Sequence, residues 1–224
     1  MKSFTFIYIF LMIASTSFAQ INKDSESTWK LPSSKKVTMD LPFARNIVVK
    51  TWDRQEVLLK TAIKADNEEV ASIHQMNVTE SADALHIKTD YKKQSGRKYN
   101  NFCSCDSERS NWNCVCIEIK HEIFLPKNAI LSMETINGSI EIKGFESQMH
   151  IESINGFVDI TFSPSAKADL DFSTINGEIY TDFNINNVGK MSKYSKEVRS
   201  QLNGGGAELE LETINGNIYF RKGK

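Results

Sequence analysis

From Lys36 onward, apolar residues recur at every second position over short runs. Val37, Met39 and Leu41 alternate with polar neighbours, which is the period of a strand with one buried face. Asn46–Trp52 (NIVVKTW) is a β-branched run, Asp53–Glu56 a polar turn, and Val57–Ile63 (VLLKTAI) a second run. Together they predict a hairpin with a slightly long loop. Asn67–His74 (NEEVASIH) opens on Asn with acids in its first turn and predicts a short helix. Asn77–Thr79 and Ala84–Thr89 predict two further strands. Val115–Leu125 (VCIEIKHEIFL) alternates strictly, with Ile117, Ile119, His121 and Ile123 on one face and Pro126 as its stop.

The second half is a repeat. Thr135-Ile136-Asn137-Gly138, Ser153-Ile154-Asn155-Gly156, Thr174-Ile175-Asn176-Gly177 and Thr213-Ile214-Asn215-Gly216 each join two short alternating segments. The asparagines are 18, 21 and 39 residues apart, and the last interval is about two periods of the others. Residues 184–206, polar and ending Asn203-Gly204-Gly205-Gly206, read as a missing or decorated repeat, with the glycines as a flexible turn. Asn and Gly tolerate positive φ better than other residues, so each pair suits a tight hairpin or a sharp corner. A constant tetrapeptide at a period near twenty favours corners of successive coils in a β-solenoid, with neighbouring Asn and Gly residues stacked. The Ile before each Asn, and the Ile or Val two after each Gly, are expected to point inward.

The N-terminus changes the compartment. Met1-Lys2, the apolar Phe4–Ile13 and the small residues Ala14–Ala19 have the layout of a secretory signal peptide over residues 1–19, with a mature start at Gln20 and no membrane anchor after cleavage. Residues 20–34 are polar and patternless and read as a linker. Composition adds an exclusion: 27 basic against 28 acidic residues leave a net charge of −1, so there is no electrostatic footprint for nucleic acid.

With these residues in view, the chain resembles the bacterial putative-adhesin family of exported β-repeat domains. The matching parts are Thr51-Trp52-Asp53 with Glu56-Val57, the strand end Phe124-Leu125-Pro126-Lys127, the Ile-Asn-Gly units and the final Asn215-Gly216-Asn217-Ile218. The resemblance implies an extracytoplasmic β-solenoid-like domain with a cell-envelope role, and it supplies no catalytic residues.

Cys103, Cys105, Cys114 and Cys116 lie outside that family pattern. An antiparallel hairpin can set Cys103 opposite Cys116 and Cys105 opposite Cys114, at a separation close to what disulfides need. Export favours two disulfides, although four cysteines allow three pairings and four thiolates on one face could instead bind a tetrahedral metal or do redox chemistry. Trp112, in the intervening loop, reads equally as an exposed contact or as packing over the cysteines. His74, His86, His121 and His150 show no ligand spacing. Glu134, Glu141, Glu152, Asp159, Asp171, Glu208, Glu210 and Glu212 alternate with apolar residues and read as a solvated sheet face.

The expectation is an all-β chain: a β-solenoid-like repeat over 128–224 joined to an N-terminal β-hairpin region over 35–127 with one short helix, as one continuous domain. Its expected function is an extracytoplasmic (periplasmic, surface or secreted) structural or adhesin-like binding module, not an enzyme, without a cofactor. The expected partner is an envelope protein or a glycan. Two alternatives stand beside it: a metal-binding or redox protein using the Cys-x-Cys pairs, and a carbohydrate-active β-helix protein, on fold analogy alone.

Overall fold

The computed structural model describes residues 20–92, 99–100, 115–186, 188–189 and 195–223. In chain order the elements are β1 Ile21–Lys30, β2 Lys36–Asp40, β3 Asn46–Trp52, β4 Glu56–Ala65, α1 Glu68–Ala71, β5 His74–Glu80, β6 Leu85–Tyr91, β7 Tyr99–Asn100 and β8 Val115–Pro126. They continue as β9 Ile130–Thr135, β10 Ser139–Lys143, β11 Met149–Asn155, β12 Val158–Phe162, β13 Ala168–Thr174, β14 Ile179–Thr181, β15 Lys196–Leu202, β16 Ala207–Asn215 and β17 Ile218–Lys222. Two open, mixed sheets hold these strands. One runs β1-β4-β8-β3-β10-β12-β17-β14, with β7 beside β8; the other runs β15-β13-β16-β11-β9-β2-β6-β5.

Strict two-residue alternation explains the layering. In β10, β12 and β13 every second side chain is buried. The inward rows of both sheets merge into one core, with Val37, Met39, Ile47, Leu131, Ile140, Ile151, Phe172, Leu211 and Phe220 among its members. From β9 to β14 successive strands alternate between the two sheets, so each strand pairs in parallel with the strand two further along or with an inserted one. Parallel pairing becomes possible here because each connection passes through the opposite sheet.

The sequence expectation needs four corrections. First, β3 and β4 do not form a hairpin: β8 lies between them, parallel to β3 and antiparallel to β4. Its apolar face, long enough to serve both neighbours, wins the central place. Second, residues 20–34 are not only linker: β1 adds antiparallel to β4 at the sheet edge. It lacks an apolar alternation because most of its side chains are solvated; backbone pairing to β4, with Trp29 packed against the core, makes it a strand. Third, the 39-residue interval hides no missing rung. Residues 184–206 carry β15, which caps β13 antiparallel; β16 then returns between β13 and β11, and β17 between β12 and β14. The turn into β16 uses positive φ at Asn203, Gly204 and Gly205. Fourth, the Ile before each Asn faces outward, as described below. The helix over Asn67–His74 is present in shorter form as α1, and Asn67 caps it by accepting from the Val70 N–H at 3.0 Å.

A second small core, around Ile63, Val70, Ile73, Ile117 and Ile119, contains a polar cluster. His121 is 2% exposed, and its Nδ1 shares a 3.0 Å hydrogen bond with the Thr61 hydroxyl. The His74 ring lies 6.0 Å from it, and Tyr91 packs against His74. Burial, with the neighbouring His74, pushes the His121 pKa down to about 3. The folded state therefore binds fewer protons than the unfolded chain wherever the pH lies between about 3 and 6.5. This contribution is complete above about pH 6.5 and is lost as the pH falls through that window, up to roughly 5 kcal/mol. Urea unfolding from pH 7 to pH 4 should show a steep loss of stability that His121→Phe flattens; equal slopes in the two proteins would refute the assignment.

Candidate functional site

The four tetrapeptides meet at one edge of the molecule, where the chain passes from the second sheet to the first. Their order in space is Asn137, Asn155, Asn215, Asn176, since the last repeat in sequence sits third in the stack. The side-chain amides form a one-way ladder. Asn155 Nδ2 donates to Asn137 Oδ1 at 3.0 Å, Asn215 Nδ2 to Asn155 Oδ1 at 2.9 Å, and Asn176 Nδ2 to Asn215 Oδ1 at 2.9 Å. Each inner amide spends one of its two N–H bonds and one of its two oxygen lone pairs within the ladder. One donor and one acceptor per rung remain.

The glycines are required for space. A Cβ on Gly156 would stand 2.1 Å from the Gly138 carbonyl oxygen, on Gly216 1.9 Å from that of Gly156, and on Gly177 2.0 Å from that of Gly216. On Gly138 it would meet the Ala44 carbonyl at 2.3 Å. None of these four has positive φ. The hairpin reading thus fails, and the conformational reason given for Asn-Gly is replaced by close backbone stacking. Leu41–Arg45, between β2 and β3, forms an earlier corner without the motif: the N–H groups of Ile136 and Asn137 both donate to the Pro42 carbonyl.

The residue before each Ile is the inward one. Thr135, Ser153, Thr174 and Thr213 are buried, and their hydroxyls donate to backbone carbonyls at the corners: Thr135 to Leu41 at 2.8 Å, Ser153 to Gly138 at 3.2 Å, and Thr174 and Thr213 to Gly216 at 2.9 and 2.7 Å. Continued alternation then turns Ile136, Ile154, Ile214 and Ile175 outward, at 39, 40, 41 and 51% exposure. Ile140, Val158 and Ile218, two after the glycines, are buried as expected, and Ile179 is half-buried. Sequence reasoning missed this exposed isoleucine row; counting parity from the buried Thr or Ser finds it. It also missed an aromatic row beside it. Phe157 contacts Tyr219 edge-on at 6.1 Å, Tyr219 stacks on Tyr180 at 5.2 Å, and Arg221 lies 4.9 Å over Tyr219.

The flat outer faces differ from this edge. On the second sheet, Asp40, Glu134, Glu152 and Glu212 stand side by side on four adjacent strands. Lys88 pairs with Asp40 at 2.6 Å, and His150 bridges Glu210 at 2.7 Å and Glu152 at 2.8 Å. Burial opposes protonation of His150, but its hydrogen bonds to Glu152 and Glu210 raise its pKa above the usual imidazole value. Burial, then the charges of Glu152 and Glu210, raise that of Glu212. On the first sheet Lys50–Glu122, Lys143–Glu141 and Arg221–Asp159 pairs cover the surface. The expected solvated carboxylate face is present. A surface concavity of about 720 Å³ beside β15 is lined by Asp169, Asp171, Arg199, Gln201 and Glu208, with Asp169 held by Gln201 and the Gly206 N–H and Asp171 by Arg199. Another, of about 560 Å³, lies over β4, β8 and β3. Among the described residues no three His, Cys, Asp or Glu side chains are placed to hold a metal ion. Cys103, Cys105, Cys114 and Trp112 lie outside the described residues; Cys116 is described only by its backbone, in β8.

Two substitutions separate the corner's parts. Gly216→Ala should cost about 3 kcal/mol in urea unfolding, because its Cβ meets backbone that cannot move freely. Gly204→Ala, in open space at φ +88°, should cost about 1 kcal/mol from strain alone. Asn155→Ala removes two ladder bonds at the surface and should cost about 1 kcal/mol.

The fold is similar to that of a putative cell adhesion protein from Clostridium sporogenes, with a TM-score of 0.54 at 9% identity over 91% of this chain and 100% of that one. A putative adhesin from Bacteroides fragilis aligns at 11% identity over 92% of this chain and 98% of its own, with a TM-score of 0.30. One from Parabacteroides merdae aligns at 6% identity over 90% and 97%, with a TM-score of 0.23. No family model matches the sequence, and no curated protein does. The similarity to the Clostridium protein carries the fold, and at that level the resemblance to putative-adhesin domains read from the motifs is met.

Proposed function

We propose that this chain is an exported, non-catalytic binding module of the cell envelope, and that the Ile-Asn-Gly edge is its contact surface. One observation carries the reading. Of the seven large apolar side chains exposed among the described residues, six (Ile136, Ile154, Phe157, Ile175, Tyr180 and Ile214) belong to this edge and the aromatic row beside it. An apolar band of this kind costs solubility and marks an interaction surface. The fold similarity to a putative cell adhesion protein supports the same reading.

In this reading the parallel, alternating strands from β2 to β17 are the coils of a β-solenoid-like body, and 35–127 and 128–224 make one continuous domain. Residues 1–19 direct export, and Cys103, Cys105, Cys114 and Cys116 form two disulfides. Fractionation of cells producing the full chain, followed by intact mass of the exported form, tests these claims together. The expected product starts at Gln20 and is four hydrogens lighter than its reduced form. Retention in the cytoplasm would overturn the envelope reading. Four alkylatable thiols, or a metal kept in the native spectrum, would favour the metal or redox alternative.

A further inference from the structure

We infer that the Ile-Asn-Gly edge binds an uncharged, linear polysaccharide laid along the stack of rungs, an inference that rests on the binding-module reading above.

Charge is the first argument. A quarter of the chain's residues are charged, yet the four tetrapeptides contain no charged residue. Both flat faces beside them are dense with Lys, Arg, Asp and Glu. Charge begins at the borders of the strip: Glu134, Glu152 and Glu212 stand two residues before Ile136, Ile154 and Ile214 on the outward face, and Glu178 follows the outermost glycine, paired with Lys196. A polyanion or a polycation gains nothing from such a strip, whereas a neutral ligand avoids desolvating any ion there.

Shape is the second argument. Four rungs spaced about 4.8 Å apart give a strip roughly 14 Å long and one or two side chains wide. That area is far below the roughly 1,200 Å² of total burial a stable protein–protein interface needs. It suits a thin polymer that meets the same chemistry at each step and gains strength from repetition along its length.

Chemistry is the third. Each inner Asn keeps one free amide N–H and one free lone pair after the ladder is made, so hydroxyls meet a donor and an acceptor at every rung. Because every amide is already held by its neighbours, little ordering entropy is lost on binding. The isoleucine row offers methyl groups to the C–H faces of sugar rings. At the β12–β17–β14 end the band continues into the rings of Phe157, Tyr219 and Tyr180, and the two tyrosine hydroxyls add hydrogen bonding to that apolar area.

The test is affinity electrophoresis of the exported full chain in gels containing amylose, β-1,3-glucan, β-mannan or xylan. Alginate and phosphatidylglycerol vesicles serve as charged comparators, and sedimentation reports self-association. The expected result is retardation by at least one neutral polysaccharide that changes less than twofold between 0.05 and 0.5 M salt. Ile154→Lys and Ile214→Lys, which alter exposed side chains and should leave urea unfolding unchanged, should each weaken it about tenfold, equivalent to about 1.4 kcal/mol. Glu208→Gln, at the end of the charged face far from the isoleucine row, should leave it unchanged. No retardation by any neutral polysaccharide, binding to alginate or vesicles alone, a dimer that the Lys variants dissolve, or neutral binding that the Lys variants do not touch would each overturn the inference. Binding of the wild-type chain to isolated cell envelopes is measured in parallel. If that persists while the polysaccharide arm fails, only the ligand is wrong; if both fail, the binding-module reading fails too.

Discussion

The structure depends on how closely one backbone can approach the next at the corner. A carbonyl oxygen about 2 Å from where a Cβ would stand leaves room for glycine and nothing else, and this holds at Gly138, Gly156, Gly216 and Gly177 in turn. Close stacking keeps successive rungs in register, so the parallel ladders on both sides of the corner begin at matching residues: Ile140 beside Val158, and Ser153 beside Thr135 and Thr213. Register then decides everything further along each strand, because a slip of one residue would turn every buried side chain outward.

The corner also dictates the other three positions of the motif. Carbonyls near the core's narrow end need donors, and the buried Thr and Ser hydroxyls supply them. That commits the inward position to a small polar residue and forces the following isoleucine outward. Asn follows because its short amide can donate to the rung on one side and accept from the rung on the other in one repeating geometry. The order of rungs is less constrained than their geometry. The repeat that comes last in sequence occupies the third place, and any two tetrapeptides of this design fit together, since all present the same edge.

The strands, the short helix and the inward row Ile117, Ile119, His121 and Ile123 were legible because alternation and an Asn cap are local signals. The stacking of Asn and Gly was legible because a repeated tetrapeptide implies a repeated environment. What failed was non-local. Nothing near β3 and β4 says that β8 will separate them, and β1 has no apolar pattern because backbone pairing at an edge leaves none. The insertion of β16 and β17 depends on a contact between residues far apart in the chain. The outward isoleucines failed for a different reason: Ile was assigned by hydrophobicity when parity, counted from Met133 through Thr135, already placed Ile136 outside.

Outward isoleucines are costly in water, and a repeat free to choose any residue at that position would reach solubility with Thr, Lys or Glu. Stability does not demand Ile there, since the ladder, the glycine stack and the buried hydroxyls all operate without it. Elsewhere on the surface the chain does choose charge, even setting Asp40, Glu134, Glu152 and Glu212 side by side at an electrostatic cost. A molecule that tolerates like charges in a row on its flat face, yet keeps Ile and Asn without any charge at all four corners, treats its two surfaces differently. Folding physics accounts for Thr, Asn and Gly in the motif. It leaves the isoleucine, and with it the neutrality of the edge, to be explained by what the edge touches.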